Sequence, residues 1–220
     1  LDAETYFHPD SRTTIPCPAC ADTSFSPAFE KNDFEFVLCQ QCFTLYLSPR
    51  PPALEFEQFY TESPSSNYWA NTFFPKVVEA RRNTIFKSKV KRVEAFCDSK
   101  GIIPESILEV GAGYGIFLEE WKKEHPTTNA FAIEPSPALA KVCREKDIEV
   151  LETVVEQADE WSGRADLLAC FEVIEHAHDP LEFLRSFFNL VKKGGWVVIS
   201  GLGVEGFDIQ VLWEKSKSVF

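Results

Sequence analysis

The 220-residue sequence contains no methionine, so Leu1 is not expected to be a translated start, and the numbering is expected to begin inside a processed or trimmed product. No basic-then-apolar leader opens the chain, which argues against a secretory signal. The apolar stretches fall far short of the ~20 residues a spanning helix needs. A cytoplasmic protein with no membrane partner is the expectation. Positive charge is scarce as well, with 22 Lys and Arg against 34 Asp and Glu and a net charge of −12. A chain of that sign repels a phosphate backbone, so nucleic acid is not expected as a partner. Internal repeats and low-complexity segments are lacking. The remaining composition, 45% hydrophobic and 25% charged, is that of a globular protein able to bury a substantial core.

Three regions separate. Residues 1–60 are rich in Pro, Cys and Phe, with short extended runs such as Phe34-Glu35-Phe36-Val37-Leu38. Residues 61–101 begin with a Ser/Pro/Asn turn cluster and continue as a helical pattern from Pro75, a residue suited to a helix's first turn; Gly101 ends it. This region is basic (Lys76, Arg81, Arg82, Lys87, Lys89, Lys91, Arg92), and reads as the solvated face of a helix or as a local anion patch. From residue 102 onward strand-like and helix-like segments alternate, the signature of a parallel α/β sheet. Strands are expected at 106–110, 129–134, 148–151, 166–171 and 195–200, with helices at 115–124, 136–146 and 179–191.

Cys17-Pro-Ala-Cys20 and Cys39-Gln-Gln-Cys42 form two C-x2-C pairs. Two-residue spacing turns both thiolates of a knuckle toward one ion, and two knuckles complete the four-sulfur shell that zinc prefers. Such a shell has no open position, so the Zn2+ is expected to be structural, stabilising a region with little core of its own. Knuckles of this kind often carry Gly just after the second Cys; here Ala21 and Phe43 stand there, which puts the geometry rather than the ligand identity in question. Cys97, Cys143 and Cys170 stand alone and read as small buried hydrophobes.

The segment Ile107-Leu108-Glu109-Val110-Gly111-Ala112-Gly113-Tyr114-Gly115 reads as strand, tight turn and helix. Its glycines permit unusual dihedrals and a close ligand approach. The dinucleotide fingerprint would need glycine at 116, where this chain has Ile116. A pyrophosphate at the helix N-terminus would also be repelled by Glu109. At the end of the next strand Glu134 can accept hydrogen bonds from both hydroxyls of a ribose, or can merely cap the following helix. The implied ligand is a nucleoside with an ammonium-bearing tail and no diphosphate.

These residues meet a family. Leu108–Gly115 resembles the first motif of class I S-adenosylmethionine-dependent methyltransferases. Ala132-Ile133-Glu134-Pro135-Ser136 resembles their ribose-binding motif, Asp166–His176 their fourth-strand motif, and Leu190–Trp196 the turn before strand five. The four-cysteine start, followed by Leu45–Pro51 and Phe59-Tyr60, is similar to a subgroup with an N-terminal zinc-ribbon module, some of whose members methylate nucleotide-linked sugars. The resemblance implies a Rossmann-like, mostly parallel sheet of order 3-2-1-4-5, with a zinc ribbon at 1–60, a helical linker or lid at 61–101 and an S-adenosyl-L-methionine-binding domain at 102–220. Residues 201–220 are too few for the family's last helix and hairpin, so the domain is expected to be incomplete.

By position, the resemblance implies that Gly111, Gly113 and Gly115, with Ala112 and Tyr114 between them, line the methionine and ribose part of the cofactor, Glu109 lying near its amino end. Glu134 would hold the ribose, Pro135 and Ser136 would flank the adenine, Val154 or Val155 would cover its other side, and backbone near Cys170 and Phe171 would pass the methionine. His176 sits just beyond strand four, where open α/β sheets bind ligands, and titrates near neutrality. It is the candidate general base; the alternative is that Glu175-His176 orders the loop before the helix opening at Asp179-Pro180. Tyr60, Tyr68 and Trp69 are candidates for a lid or for simple packing. The expected activity is methyl transfer to oxygen or carbon of a small-molecule acceptor, such as a nucleotide-linked sugar or a hydroxylated metabolite. A non-catalytic ligand-binding adaptor and an NAD-dependent oxidoreductase are the competing readings.

Overall fold

The structure, a computed structural model, describes residues 3–216. A short helix α1 (Ala3–Tyr6) leads into a three-stranded antiparallel sheet of β1 (Phe25–Lys31), β2 (Phe34–Cys39) and β3 (Leu45–Leu47), paired in that order. Asn32 and Asp33 join β1 to β2 at φ of 52° and 62°, the conformation in which a two-residue turn matches the strands' own twist.

After α2 (Ala53–Glu62) comes a nearly unbroken helical run from Pro64 to Lys100. It comprises α3 (Pro64–Tyr68), a π turn at Trp69–Phe73, α4 (Phe74–Arg81), a second π turn at Arg82–Phe86, and α5 (Lys87–Lys100). The helix therefore begins well before Pro75, the residue expected to start it. Proline lacks an N–H and crowds the preceding turn, and the wide turn directly ahead of it relieves that crowding. Gly101, at φ 65°, closes α5 by donating its N–H to the carbonyls of Cys97 and Asp98, the left-handed termination that favours glycine.

The remaining strands are β4 (Ser106–Val110), β5 (Asn129–Ile133), β6 (Glu149–Leu151), β7 (Ala165–Phe171) and β8 (Val191–Ser200), with α6 (Ile116–Glu124), α7 (Pro137–Arg144) and α8 (Pro180–Leu190) between them and α9 (Phe207–Leu212) after them. All four strand pairings are parallel, and the order β6-β5-β4-β7-β8 is the expected 3-2-1-4-5. β8 starts earlier than expected: Val191 already pairs with Ala165, whereas Trp196 pairs with Leu167. The glycine turn between them, with Gly194 at φ 83°, is an outward bulge inside the strand.

Period-two alternation divides the core between the sheet's faces. Ile107, Ala132, Leu167 and Ala169 pack with Phe117 and Trp121 of α6 and with Val90, Val93 and Cys97 of α5. Leu108, Val110, Ile133, Leu168 and Cys170 pack with Phe183, Phe187 and Leu190 of α8. The second half of the segment expected as a linker or lid is thus built into the core. Cys97, Cys143 and Cys170 are buried free thiols. Among the described residues no helix is long and apolar enough to cross a membrane.

One carboxylate ties three strand starts together. Asp166 Oδ2 accepts from the amides of Glu105 (3.1 Å) and Ser106 (2.9 Å) and from the Ser106 hydroxyl (2.7 Å), while Oδ1 meets Lys192 Nζ at 2.9 Å. Asp166→Ala leaves those amides without their acceptor and is expected to cost about 2–4 kcal/mol. Urea unfolding measures this, and a loss under ~0.5 kcal/mol would show that the carboxylate does not pin the sheet.

Candidate functional site

The turn after β4 places its three glycines at φ of 71°, 55° and 67°, and their surroundings differ. A Cβ on Gly111 would stand 2.5 Å from Val173 Cγ2, and one on Gly115 would stand 2.9 Å from Cys143 Sγ. One on Gly113 would meet nothing within 4 Å. The outer glycines are therefore demanded by packing as well as by dihedral, whereas Gly113 opens onto free space, a cradle that a ligand can enter. Ala112 is buried and Tyr114 half-buried.

Two acids flank this turn. Glu109, on β4, is 2% exposed, and its Oε2 has no hydrogen-bond partner among the described residues. Burial drives its carboxyl well above the ordinary carboxylate range, with the nearby Lys89 opposing. A buried oxygen without a partner is costly, and a cationic or N–H donor ligand is what would satisfy it. Glu134, just beyond β5, accepts from the Gly113 amide at 2.7 Å and the Ser136 amide at 3.0 Å. It does not cap α7; Ser136 does, its hydroxyl accepting from the Leu139 amide at 3.4 Å. Glu134 instead clamps the glycine turn to the next strand's exit. Burial raises its pKa to about 7 against those two hydrogen bonds.

Residues that sequence reasoning passed over hold the turn in place. Phe74 stacks on Tyr114 at 5.2 Å, and Lys146 Nζ lies 4.4 Å from the centre of the Tyr114 ring while donating to the Tyr114 carbonyl. Lys146 also pairs with Glu119 at 3.1 Å. Glu119 in turn binds Arg82 Nη2 at 3.0 Å, and Arg82 reaches Glu79 at 3.1 Å and Glu120 as well. Arg82 is therefore not part of a solvated helix face: it is 8% exposed and anchors the long helical run to α6. The buried and half-buried partners of Lys146 and Arg82 come from distant elements, so nothing local marks these two residues; Glu79, three residues before Arg82, is exposed.

At the end of β7, Cys170 is fully buried. Phe171 meets Phe117 edge-on at 4.8 Å and carries Lys89 Nζ 4.5 Å above its ring. Glu172 follows at φ 56°, a left-handed conformation costly for a residue with a Cβ. It is held by its N–H donating to the Ser200 carbonyl (2.9 Å) and by the Ser200 hydroxyl on its carboxylate (2.7 Å). His176 ends a short 3-10 turn (Ile174–His176), half-buried, with burial lowering its pKa. Asp179 caps α8 through bonds of 3.0 Å from the amides of Leu181 and Glu182. Val155 is buried in the same core cluster as Val110 and Ile133. Pro135 follows Glu134 at the same strand end and is half-buried. Tyr68 and Trp69 are exposed, Trp69 packing on Phe73 and Phe74.

The four expected ligand cysteines come together. Cys17 Sγ lies 3.5 Å from Cys42 Sγ, Cys20 Sγ 3.6 Å from Cys39 Sγ, and all four sulfurs fall within 4.8 Å of one another. Sulfurs about 2.3 Å from one ion would be about 3.8 Å apart. Thr44 Oγ1 lies 3.1 Å from Cys42 Sγ. The knuckles close without glycine: Ala21 and Phe43 sit at φ of 62° and 60° and donate their N–H groups to the carbonyls of Cys17 and Cys39 at 2.8 and 3.1 Å. The missing glycines therefore change not the geometry but its cost, by about 1 kcal/mol or more at each position.

The family model for a methyltransferase domain matches residues 78–214. The chain is similar to the ubiquinone biosynthesis O-methyltransferase of Escherichia coli, 34% identical over 111 residues, or 48% of this chain and 46% of that protein's length. The fold is similar to a plantazolicin methyltransferase solved in complex with SAH (TM-score 0.57, 17% identity, 74% of this chain and 63% of that one). It is also similar to a sugar N-methyltransferase from Streptoalloteichus (TM-score 0.51, 22% identity, 60% of this chain and 55% of that one).

Glu134 generates a pH prediction. Folded, its carboxyl keeps a proton up to about pH 7; unfolded, it releases it near 4.5. The folded state thus binds more protons between those values, and its stability falls as pH rises through that window, by an order of 3 kcal/mol. Glu134→Gln is expected to remove that part of the slope. Parallel stability profiles for the two proteins between pH 4.5 and 7.5, measured by urea unfolding, would refute it.

Proposed function

The chain belongs to the methyltransferase domain family, and from that premise we propose that it transfers a methyl group from S-adenosylmethionine to oxygen or carbon of a small-molecule acceptor. The observation that carries this reading is Glu109 Oε2, buried without a partner among the described residues beside a glycine turn that opens at Gly113. A dinucleotide's pyrophosphate has no use for a carboxylate there, whereas a ligand carrying an ammonium group does. The name of the ubiquinone biosynthesis O-methyltransferase supports an oxygen acceptor in a small molecule.

The bound cofactor supplies a sulfonium carbon open to direct displacement. In this reading Glu109 faces its amino group and Glu134 trades part of its hold on the Gly113 amide for the ribose hydroxyls. Pro135 and Ser136 flank the adenine, Val155 backs it, and the backbone at Cys170 and Phe171 borders the methionine. Tyr114, fixed between Phe74 and Lys146, keeps the loop in one shape, so that positioning does much of the work. His176 accepts the acceptor's proton. Its pKa is held down by burial, so at neutral pH the imidazole is uncharged and able to act as a base.

Cys17, Cys20, Cys39 and Cys42 hold a structural Zn2+ that orders residues 1–60. Residues 61–101 connect this module to the cofactor domain at 102–220, with α5 shared into its core. Metal analysis of protein purified without chelators is expected to find one zinc per chain, and Cys39→Ser is expected to lose it. Metal-free protein with an intact module would remove the assignment.

Calorimetric titration tests the cofactor. The chain is expected to bind S-adenosylhomocysteine and to ignore NAD, with Glu134→Ala weakening the former at least about 10-fold, the equivalent of roughly 1.4 kcal/mol. Binding of NAD alone would sink the reading. With an acceptor in hand, His176→Asn is expected to lower kcat by about 10²–10⁴ at unchanged cofactor affinity; an unaltered kcat would take the base role from His176.

A further inference from the structure

A cavity of about 550 Å³ lies between the four-cysteine module and the β7–α8 loop, within the ordinary size range of small-molecule sites. It is lined by Ile174, Glu175 and His176, directly after the strand end proposed to border the methionine, and by Val204 and Ile209 from the segment after β8. The lining from the module and α2 is aromatic: Phe34, Phe36, Phe43, Phe56 and Phe59 all contribute. Phe7 binds this wall together, with ring centres 5.7 Å from Phe34, 4.8 Å from Phe56 and 5.3 Å from Phe59.

Two independent features say what belongs there. The first is charge. Among the described lining residues the only Lys, Arg, Asp or Glu are Arg50 and Glu175, and the Arg50 guanidinium already donates to the His178 carbonyl. One cation against one acid, with the proposed Cys42 thiolate adding further negative charge, does not suit a nucleotide diphosphate, which calls for several cations or convergent N–H donors. The second is Phe43. It occupies a left-handed position (φ 60°) that glycine would fill without strain, it is 64% exposed, and it lines this cavity. The same knuckle position in the other pair holds Ala21, which does not line it. A large apolar ring kept exposed at a strained position has a use there other than folding.

We propose that this cavity is the acceptor site, and that the acceptor is an uncharged planar aromatic molecule carrying a phenolic hydroxyl, packed against Phe43 of the metal module and presenting its oxygen to His176. The proposal rests on the methyl-transfer reading above. The phenolic oxygen forms its new bond to the methyl carbon as the carbon–sulfur bond breaks, the electron pair leaves with sulfur as the neutral thioether, and the phenolic proton passes to the imidazole. A phenol, ordinarily ionising near pH 10, gives its proton to a neutral imidazole at less cost than an aliphatic hydroxyl, which ionises closer to water's 15.7.

The test uses the whole chain saturated with S-adenosylhomocysteine and two probes, 2-naphthol and thymidine 5′-diphosphate, in calorimetric titration. Wild type is expected to bind 2-naphthol and not the diphosphate. Phe43→Gly is expected to raise the thermal midpoint yet weaken 2-naphthol at least 10-fold, with zinc content and S-adenosylhomocysteine affinity unchanged. Ala21→Gly should raise the midpoint and leave 2-naphthol alone, and Val204→Trp should block the probe. Binding of 2-naphthol indifferent to Phe43→Gly and Val204→Trp overturns the proposal, as does no binding at all, or diphosphate binding that these variants abolish. Failure of S-adenosylhomocysteine itself to bind would instead fell the methyl-transfer reading.

Discussion

A left-handed turn must carry the chain from a fully buried strand into a helix within five residues, and most of the cofactor end of the molecule is arranged around that demand. Gly111 and Gly115 are squeezed by Val173 and Cys143, so the turn is packed between the β7 loop and α7 and cannot drift. Glu134 grips its middle amide, and Phe74 and Lys146 hold its tyrosine from above. Through Glu119 and Arg82 the same bracing reaches the long helical run. The open space at Gly113 is what remains when everything around it is fixed, which is how a preorganised cleft is made.

That bracing leaves two carboxylates in a dry environment, Glu109 and Glu134, both raised chiefly by burial, with Glu134 adding to the cost of ionising Glu109. A stable fold with no ligand to serve would gain by replacing Glu109 with an apolar residue. Its retention without a partner for one oxygen makes sense if a donor arrives from outside. The strained Glu172 and Phe43 belong to the same pattern, since both keep left-handed dihedrals that glycine would adopt at less cost.

The four-cysteine module is tied to the cofactor domain at two places. Arg50 donates to the His178 carbonyl, and His178 Nε2 lies 3.1 Å from the Pro51 carbonyl. Farther along, Phe29 meets Trp213 edge-on at 5.1 Å, and Lys31 donates to the Ser216 carbonyl. The module's own core is small, Cys17, Val37, Cys39 and Tyr46, and the metal proposed for its four cysteines would add rigidity to the wall of phenylalanines it carries.

Much of this was legible in the chain itself. The alternation of strand and helix, the strand order through its family resemblance, the two cysteine pairs and the acids at 109 and 134 are local signals, because backbone propensity, ligand spacing and turn chemistry act over a few residues. Pro75 misled as a helix start because the compensating π turn is a property of the whole run, not of its neighbours. Arg82 looked like part of a solvated lysine-and-arginine stripe because two of its three carboxylates, Glu119 and Glu120, lie on α6, far along the chain. The cavity, lined by both Phe43 and His176, is written nowhere in either segment. The sequence by itself determined which elements form and which residue types end them; only the tertiary structure decided which distant side chains share one dry volume, because desolvation and packing depend on what surrounds a group in space and not on what precedes it in the chain.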